Sequence, residues 1–255
     1  MIKAICLDMD DTLIVNQELY SFARAMMEGY LTHFGVKPEE VGPVFAEIEK
    51  VNYQTMGISI ARYPLSFEQT LLHFVPNADS EMIAHVRDFA ERVFRTVADV
   101  KPGVSEALEI LAKIAPLHIV TGGADSVQQF RIDNLPFKDK FQTTTIIASK
   151  NTAVYTRVAK ELGLKPSEII MIGDSLKSDV LPAVEAGMRA VWIEALNAPH
   201  ELKKTTLPKG AYSFTSLLEL ARHIEKHGDL DVKTPANDRN AKPSAKKAFG
   251  GGPRC

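Results

Sequence analysis

The chain has 255 residues, 45% of them hydrophobic and 24% charged, with a formal net charge of -2. That is long enough for a proper buried core, and it excludes the sequence-wide basic surface that nucleic acid or an anionic membrane would require of a partner. With only Cys6 and Cys255, no disulfide scaffold is expected, and there is neither a signal-peptide pattern nor an apolar stretch long enough to span a bilayer. A cytoplasmic protein acting on small molecules, as a monomer or homodimer, is the expectation.

Taken in chain order, the first apolar run, Ala4–Leu7, reads as a strand and ends in the acidic string Asp8-Met9-Asp10-Asp11-Thr12. Residues two apart in an extended strand share a face, so Asp8 and Asp10 repel each other unless a metal, a proton or a turn separates them. An Asp-rich turn is the plain alternative. Thr12 is read as a turn residue, and Asp11, which alternation puts on the opposite face, as a capping or solvent-facing acid. From 17 to 98 the pattern is helical almost throughout, in segments 19–34, 38–53, 66–74 and 80–97. Arg62-Tyr63-Pro64 is read as a loop between two of these helices, with Arg62 as a candidate substrate selector beside the plainer reading of an exposed arginine.

Pro102-Gly103 punctuates the return to a different rhythm. Strand-length apolar runs at 117–120, 144–148, 169–172 and 190–193 alternate with helical patterns at 103–114, 125–134, 152–162 and 178–186. Such alternation predicts βαβ units and a parallel sheet covered on both faces. The expected organisation is therefore an α/β, Rossmann-like core from 1–15 and 100–224, an inserted helical cap over 16–99, and a polar tail over 225–255 that cannot bury enough apolar surface to order itself. Trp192, within an apolar run, is expected in the core.

In open parallel sheets the ligand crevice lies beyond the carboxyl ends of the strands. Each predicted strand delivers polar residues there: Asp8 and Asp10; Thr121-Gly122-Gly123; Ser149-Lys150; Gly173-Asp174-Ser175, with Asp179 five residues beyond Asp174. These groups suit phosphoryl transfer. A carboxylate oxygen can be the nucleophile and form an aspartyl-phosphate, and Asp8 is the candidate. Two anions must then meet, so positive charge is needed at the same place. Mg²⁺ binds through one or two carboxylates plus a substrate phosphate, and Asp8 with Asp174 are the natural pair. Lys150 adds a second cation. Thr121 and the amides of Gly122 and Gly123 are candidate donors to phosphate oxygens, and Asp10 is the candidate acid and base. For Ser175, a phosphate or Lys150 partner and a helix-start signal are equally open.

Together, Asp8-Met-Asp10-Asp-Thr12, Thr121-Gly-Gly, Lys150 and Gly173-Asp174-Ser175-Leu-Lys-Ser-Asp179 resemble the four ordered motifs of the haloacid dehalogenase superfamily, over roughly residues 1 to 195. The resemblance implies Asp8 as nucleophile, Asp10 as acid and base, Thr121 as phosphate ligand and Lys150 as charge neutraliser. It also implies a metal held by Asp8, Asp174 and the Asp10 main-chain carbonyl, with Asp179 ligating through water or orienting Lys150. The helical insert resembles that superfamily's type-1 cap. One departure is Lys150-Asn-Thr-Ala-Val-Tyr155 in place of the common Lys-Pro-x-Pro-x-Tyr/Phe; Lys177 is the fallback for the lysine. The expected activity is Mg²⁺-dependent hydrolysis of a small phosphorylated metabolite. Dehalogenation is disfavoured because such relatives usually lack a carboxylate at the position of Asp10. A phosphomutase stays open, and a receiver-type or non-catalytic phosphate-binding module fits the long helical insert poorly.

Overall fold

The computed structural model describes residues 1–194 and 206–230; most of the expected tail, beyond residue 230, lies outside the described residues. The strands are β1 (Ala4–Leu7), β2 (Leu117–Gly122), β3 (Phe141–Ile147), β4 (Ile169–Gly173), β5 (Arg189–Ile193) and β6 (Ala211–Phe214). They form a six-stranded sheet in the order β3-β2-β1-β4-β5-β6, and every pairing is parallel. Because successive residues of a strand face opposite ways, β1 feeds two cores: Ile5 and Leu7 join one apolar cluster, Ala4 and Cys6 the other. Burial pushes the Cys6 thiol up to about 12, which leaves it as packing rather than chemistry.

Helices α5 (Val104–Ala112) and α9 (Leu217–His227) cover the first face, while α7 (Thr152–Glu161) and α8 (Leu181–Glu185) cover the second; α6 (Asp125–Asp133) follows β2. Strand order reverses at β1, which has β2 on one side and β4 on the other. The crevice beyond their carboxyl ends is the topological switch point of such a sheet.

Between β1 and α5 run α1 (Gln17–Thr32), α2 (Pro38–Met56), α3 (Arg62–Phe74) and α4 (Ser80–Arg95). They share an apolar cluster of their own, built on Met27, Leu31, Phe45, Phe67, Leu71 and Val86. The insert leaves and returns through two paired segments: the Val15 N–H donates to the Asp99 carbonyl at 2.8 Å, and the Lys101 N–H to the Leu13 carbonyl at 2.9 Å. Asp11, at φ 58, turns its carboxylate onto the N–H groups of Asn16 and Gln17 and so caps the start of α1.

Three readings need correction. Arg62-Tyr63-Pro64 is not a loop but the first turn of α3; a helix leaves its first N–H groups unpaired, so Pro64 loses nothing there. β6 and α9 were not anticipated as elements, the first because a four-residue edge strand carries little pattern. The polar tail starts later than residue 225, since α9 runs to His227 and Leu230 is buried in the core, with Arg189 paired to Asp229. Trp192 is buried as expected. Among the described residues, no helix is long and apolar enough to cross a membrane.

Phe67 is fully buried and belongs to the insert's apolar cluster, not to either cluster of the sheet. Phe67→Ala is therefore expected to cost about 3–5 kcal/mol, read by native-state hydrogen exchange as lost protection in α1 to α4 with β1 and β4 protected as before. Equal loss in the strands would mean that insert and sheet unfold as one unit.

Candidate active site

β1 ends by donating its last constraint to the site: the Asp8 N–H bonds the Ile172 carbonyl of β4 at 2.8 Å, which fixes the carboxylate at the sheet edge. Asp8 is buried, and both its oxygens are engaged. Lys150 pairs with Oδ1, and the Thr12 hydroxyl donates to Oδ2 at 3.2 Å. The expected turn role for Thr12 thus carries a contact to the central carboxylate as well.

Lys150 also pairs with Asp179 Oδ1 at 2.6 Å. Asp179, 1% exposed, has that oxygen shared with the Tyr155 hydroxyl at 3.3 Å, while Oδ2 accepts from the Ser175 N–H at 3.1 Å. Gly173 explains itself here: a Cβ at that position would collide with the Asp179 carboxyl group. Two carboxylates around one ammonium hold Lys150 charged, raising its proton affinity above the usual lysine range despite burial that opposes it. Lys177 is exposed, so the fallback is unnecessary.

Ligand oxygens of Asp8, Asp174 and Asp179 lie within 4.8 Å of one another. Burial, and then the neighbouring Asp8 and Asp179, push the Asp174 carboxyl up to about 7, and burial with Asp8 pushes Asp179 up to about 6. An all-oxygen, anionic donor set of this kind fits a hard divalent cation such as Mg²⁺. The Trp192 indole N–H anchors the Asp174 carbonyl at 2.7 Å, which ties the loop after β4 to β5.

The Asp10 carboxylate is not part of that cluster. It faces a cavity of about 150 Å³ between the sheet edge and the insert, lined also by Arg62, Tyr63, Gly122, Gly123, Gln128 and Arg131. Two groups from α6 hold Asp10 Oδ2: Arg131 Nη1 at 2.6 Å and Gln128 Nε2 at 2.8 Å. Burial nevertheless raises the Asp10 carboxyl above its ordinary range, opposed by Arg131 and the Gln128 hydrogen bond. Arg62 lies over the Tyr53 ring at 5.0 Å and pairs with Glu49, so its place in the cavity wall is fixed by α2.

Thr121 is fully buried, and its Oγ1 has no hydrogen-bond partner among the described residues. One other expectation changes. The Gly123 N–H donates to the Ile147 carbonyl at 2.9 Å and so is not free for a phosphate. What glycine supplies at that position is space, because a Cβ there would run into Gln128. The Ser175 hydroxyl accepts from the Ser178 N–H at 3.1 Å, capping the π-helical turn 176–180 as the helix-start reading expects.

Gln128 and Arg131 escaped the sequence reading. Their signal was available: three apart on α6, they share a face with Val127 and Ile132 on the helix's buried side, where unpaired polar residues are costly.

The model of the haloacid dehalogenase-like hydrolases matches residues 2–187. The chain belongs to that family of hydrolases. Among curated relatives, pyrimidine 5'-nucleotidase YjjG of Escherichia coli is 28% identical over 135 residues, a match covering 49% of this chain and 57% of that one. Glyceraldehyde 3-phosphate phosphatase of Pyrococcus furiosus is 25% identical over 237 residues, covering 90% and 96%. The crystal structure of a haloacid dehalogenase-like family hydrolase from Xanthomonas campestris shares the fold with a TM-score of 0.71, at 22% identity over 89% of this chain and 93% of that one.

For this hydrolase, Gly173→Ala is expected to displace Asp179 and lower stability by about 1–3 kcal/mol through overpacking, measured by urea denaturation. Unchanged stability would show that Asp179 has room to yield.

Proposed function

We propose that this hydrolase is a Mg²⁺-dependent phosphatase that cleaves the monoester of a small phosphorylated metabolite through a phosphorylated Asp8. The observation that carries the reading is the pairing of two differently placed carboxylates on one strand end. Asp8 is locked between Lys150 and Thr12 at the cluster, while Asp10 looks into the cavity. The first suits attack on phosphorus; the second suits proton traffic with the departing group. A halide departs without a proton, so the acid role of Asp10 has no counterpart in dehalogenation. The two curated relatives described above are named a pyrimidine 5'-nucleotidase and a glyceraldehyde 3-phosphate phosphatase, which agrees with a phosphorylated small molecule.

In this reading Asp8, Asp174 and the Asp10 main-chain carbonyl hold the metal. When bound, it supplies charge neutralisation for the phosphate and the nucleophile. Asp179 orients Lys150, whose ammonium offsets the negative charge that gathers as Asp8 meets the phosphate. Thr121 Oγ1, without a partner among the described residues, donates to a phosphate oxygen. The remainder of the substrate occupies the cavity, with Arg62 and Tyr63 from the insert as selecting groups; its volume suits a small leaving group. Asp8 attacks phosphorus as Asp10 protonates the departing oxygen. Asp10 then accepts a proton from the water that attacks the phosphoryl group on Asp8 and returns that carboxylate to its starting state.

Phosphate release from 4-nitrophenyl phosphate and a panel of phosphorylated metabolites should require Mg²⁺ and stop with EDTA. Asp8→Asn should reduce it to background, and Asp10→Asn should reduce turnover of alkyl monoesters by about 10²–10⁴-fold. No release by the wild type would overturn the phosphatase reading and favour a mutase, which returns phosphate to a product.

A further inference from the structure

Gln128 and Arg131 do not reach the carboxylate cluster, yet both are almost wholly buried, and each donates to the same atom, Asp10 Oδ2. Gln128 Nε2 donates in addition to the Gly122 carbonyl at 2.8 Å. Both its partners are acceptors, so the amide orientation is set by the contacts themselves. Gly123 makes the approach possible, since any side chain at that position would occupy the place of the Gln128 amide. The opposite oxygen, Asp10 Oδ1, is buried and has no hydrogen-bond partner among the described residues.

We infer that Gln128 and Arg131 are positioning residues that bind Asp10 by Oδ2 and reserve Oδ1 as the oxygen that carries the transferred proton. The inference rests on the phosphatase reading. An oxygen that accepts from a guanidinium and an amide together has no place for a proton of its own, so the proton resides on Oδ1. In the first step the Asp8–phosphorus bond forms and the bond from phosphorus to the ester oxygen breaks. The electron pair goes to that oxygen, which takes the proton from Oδ1 and leaves Asp10 as a carboxylate. In the second step water bonds to phosphorus, its proton passes to Oδ1, and the Asp8–phosphorus bond breaks. The Gly122 bond ties the position of Asp10 to the end of β2, which also carries Thr121. Arrangement of the acid and of the phosphate contacts is thus one construction rather than two.

The test compares two esters of similar size. The leaving group of 4-nitrophenyl phosphate departs as a stable phenolate without a proton, whereas benzyl phosphate must release an alkoxide. The value of kcat/KM, which reports the steps through cleavage of the ester bond, is measured for both with Mg²⁺. Arg131→Met should lower it for benzyl phosphate roughly tenfold or more beyond any loss on the nitrophenyl ester, in keeping with a general acid's usual contribution. Arg131→Lys, which restores a cation, should recover part of the difference. Gln128→Leu, which leaves the Arg131 pair intact, should show the same selective loss to a smaller degree and guards against a variant that merely fails to fold. Equal losses on both esters would overturn the positioning role while leaving the phosphatase reading in place. Wild-type hydrolysis of the nitrophenyl ester alone would do the same, because no proton donor would then be at work. A wild type inactive on both esters and on the metabolite panel would remove the phosphatase reading and this inference with it.

Discussion

The site is organised by a surplus of negative charge that the fold forces into a buried place. Asp8, Asp174 and Asp179 converge at the carboxyl edge of the central strands, and one ammonium, Lys150, stands among them. Like charges in a poorly solvated site interact far more strongly than in water, and one lysine does not cancel three carboxylates. Burial first, and then the neighbouring Asp8 and Asp179, raise the Asp174 carboxyl to about 7. Breaking any one pair would leave a buried charge without its partner, which is far costlier than never having made the pair. Hence the supporting contacts are numerous: Thr12 on Asp8, Tyr155 and the Ser175 N–H on Asp179, the Trp192 indole on the Asp174 carbonyl.

The topology divides the chemistry between two neighbouring places. β1 and β4 lie side by side, so the loops after them bring Asp8 and Asp174 together, and the crossover after β3 contributes Lys150. β2, on the other flank of β1, leads through Gly122 and Gly123 into α6, whose Gln128 and Arg131 take hold of Asp10. Asp8 and Asp10 therefore belong to different surroundings although one residue separates them. The first stands against a lysine among other acids, the second against an arginine at the wall of a cavity. Pairs of titratable groups whose environments differ in this way are where acid and base roles divide. The helical insert completes the cavity with Arg62 and Tyr63, the former held in place by Glu49 and Tyr53.

Much of this was legible in the sequence. The alternation of apolar runs and helical patterns specified a parallel sheet, and the polar residues after each run pointed to its carboxyl edge. Asp8, Lys150, Asp174 and Asp179 lie together at that edge, and Thr12, read as a turn residue, bonds Asp8 there as well. What escaped it depended on contacts that periodicity does not encode. Gly123 was read as a place for phosphate to approach backbone, whereas its N–H is already given to Ile147 and its missing side chain admits Gln128. Arg131 looks like an ordinary helical arginine until the burial of its face is known. Arg62 falls in a stretch whose local composition reads as a loop, although it opens α3 and a proline is tolerated in a first helical turn. β6, at the sheet edge, is too short to announce itself, and α9, though amphipathic, lies past the last motif that drew attention.

The most direct test of the claim that this acidic cluster exists to hold a divalent cation is thermal unfolding of the wild type and Asp174→Asn across a Mg²⁺ titration. A ligand that binds only the folded state raises stability with its concentration, so the wild type should melt progressively higher as Mg²⁺ is added. Asp174→Asn, relieved of one repelling charge, should melt at or above the wild type in EDTA and respond little to the metal. A wild type indifferent to Mg²⁺, or a variant that gains as much from it, would contradict the account.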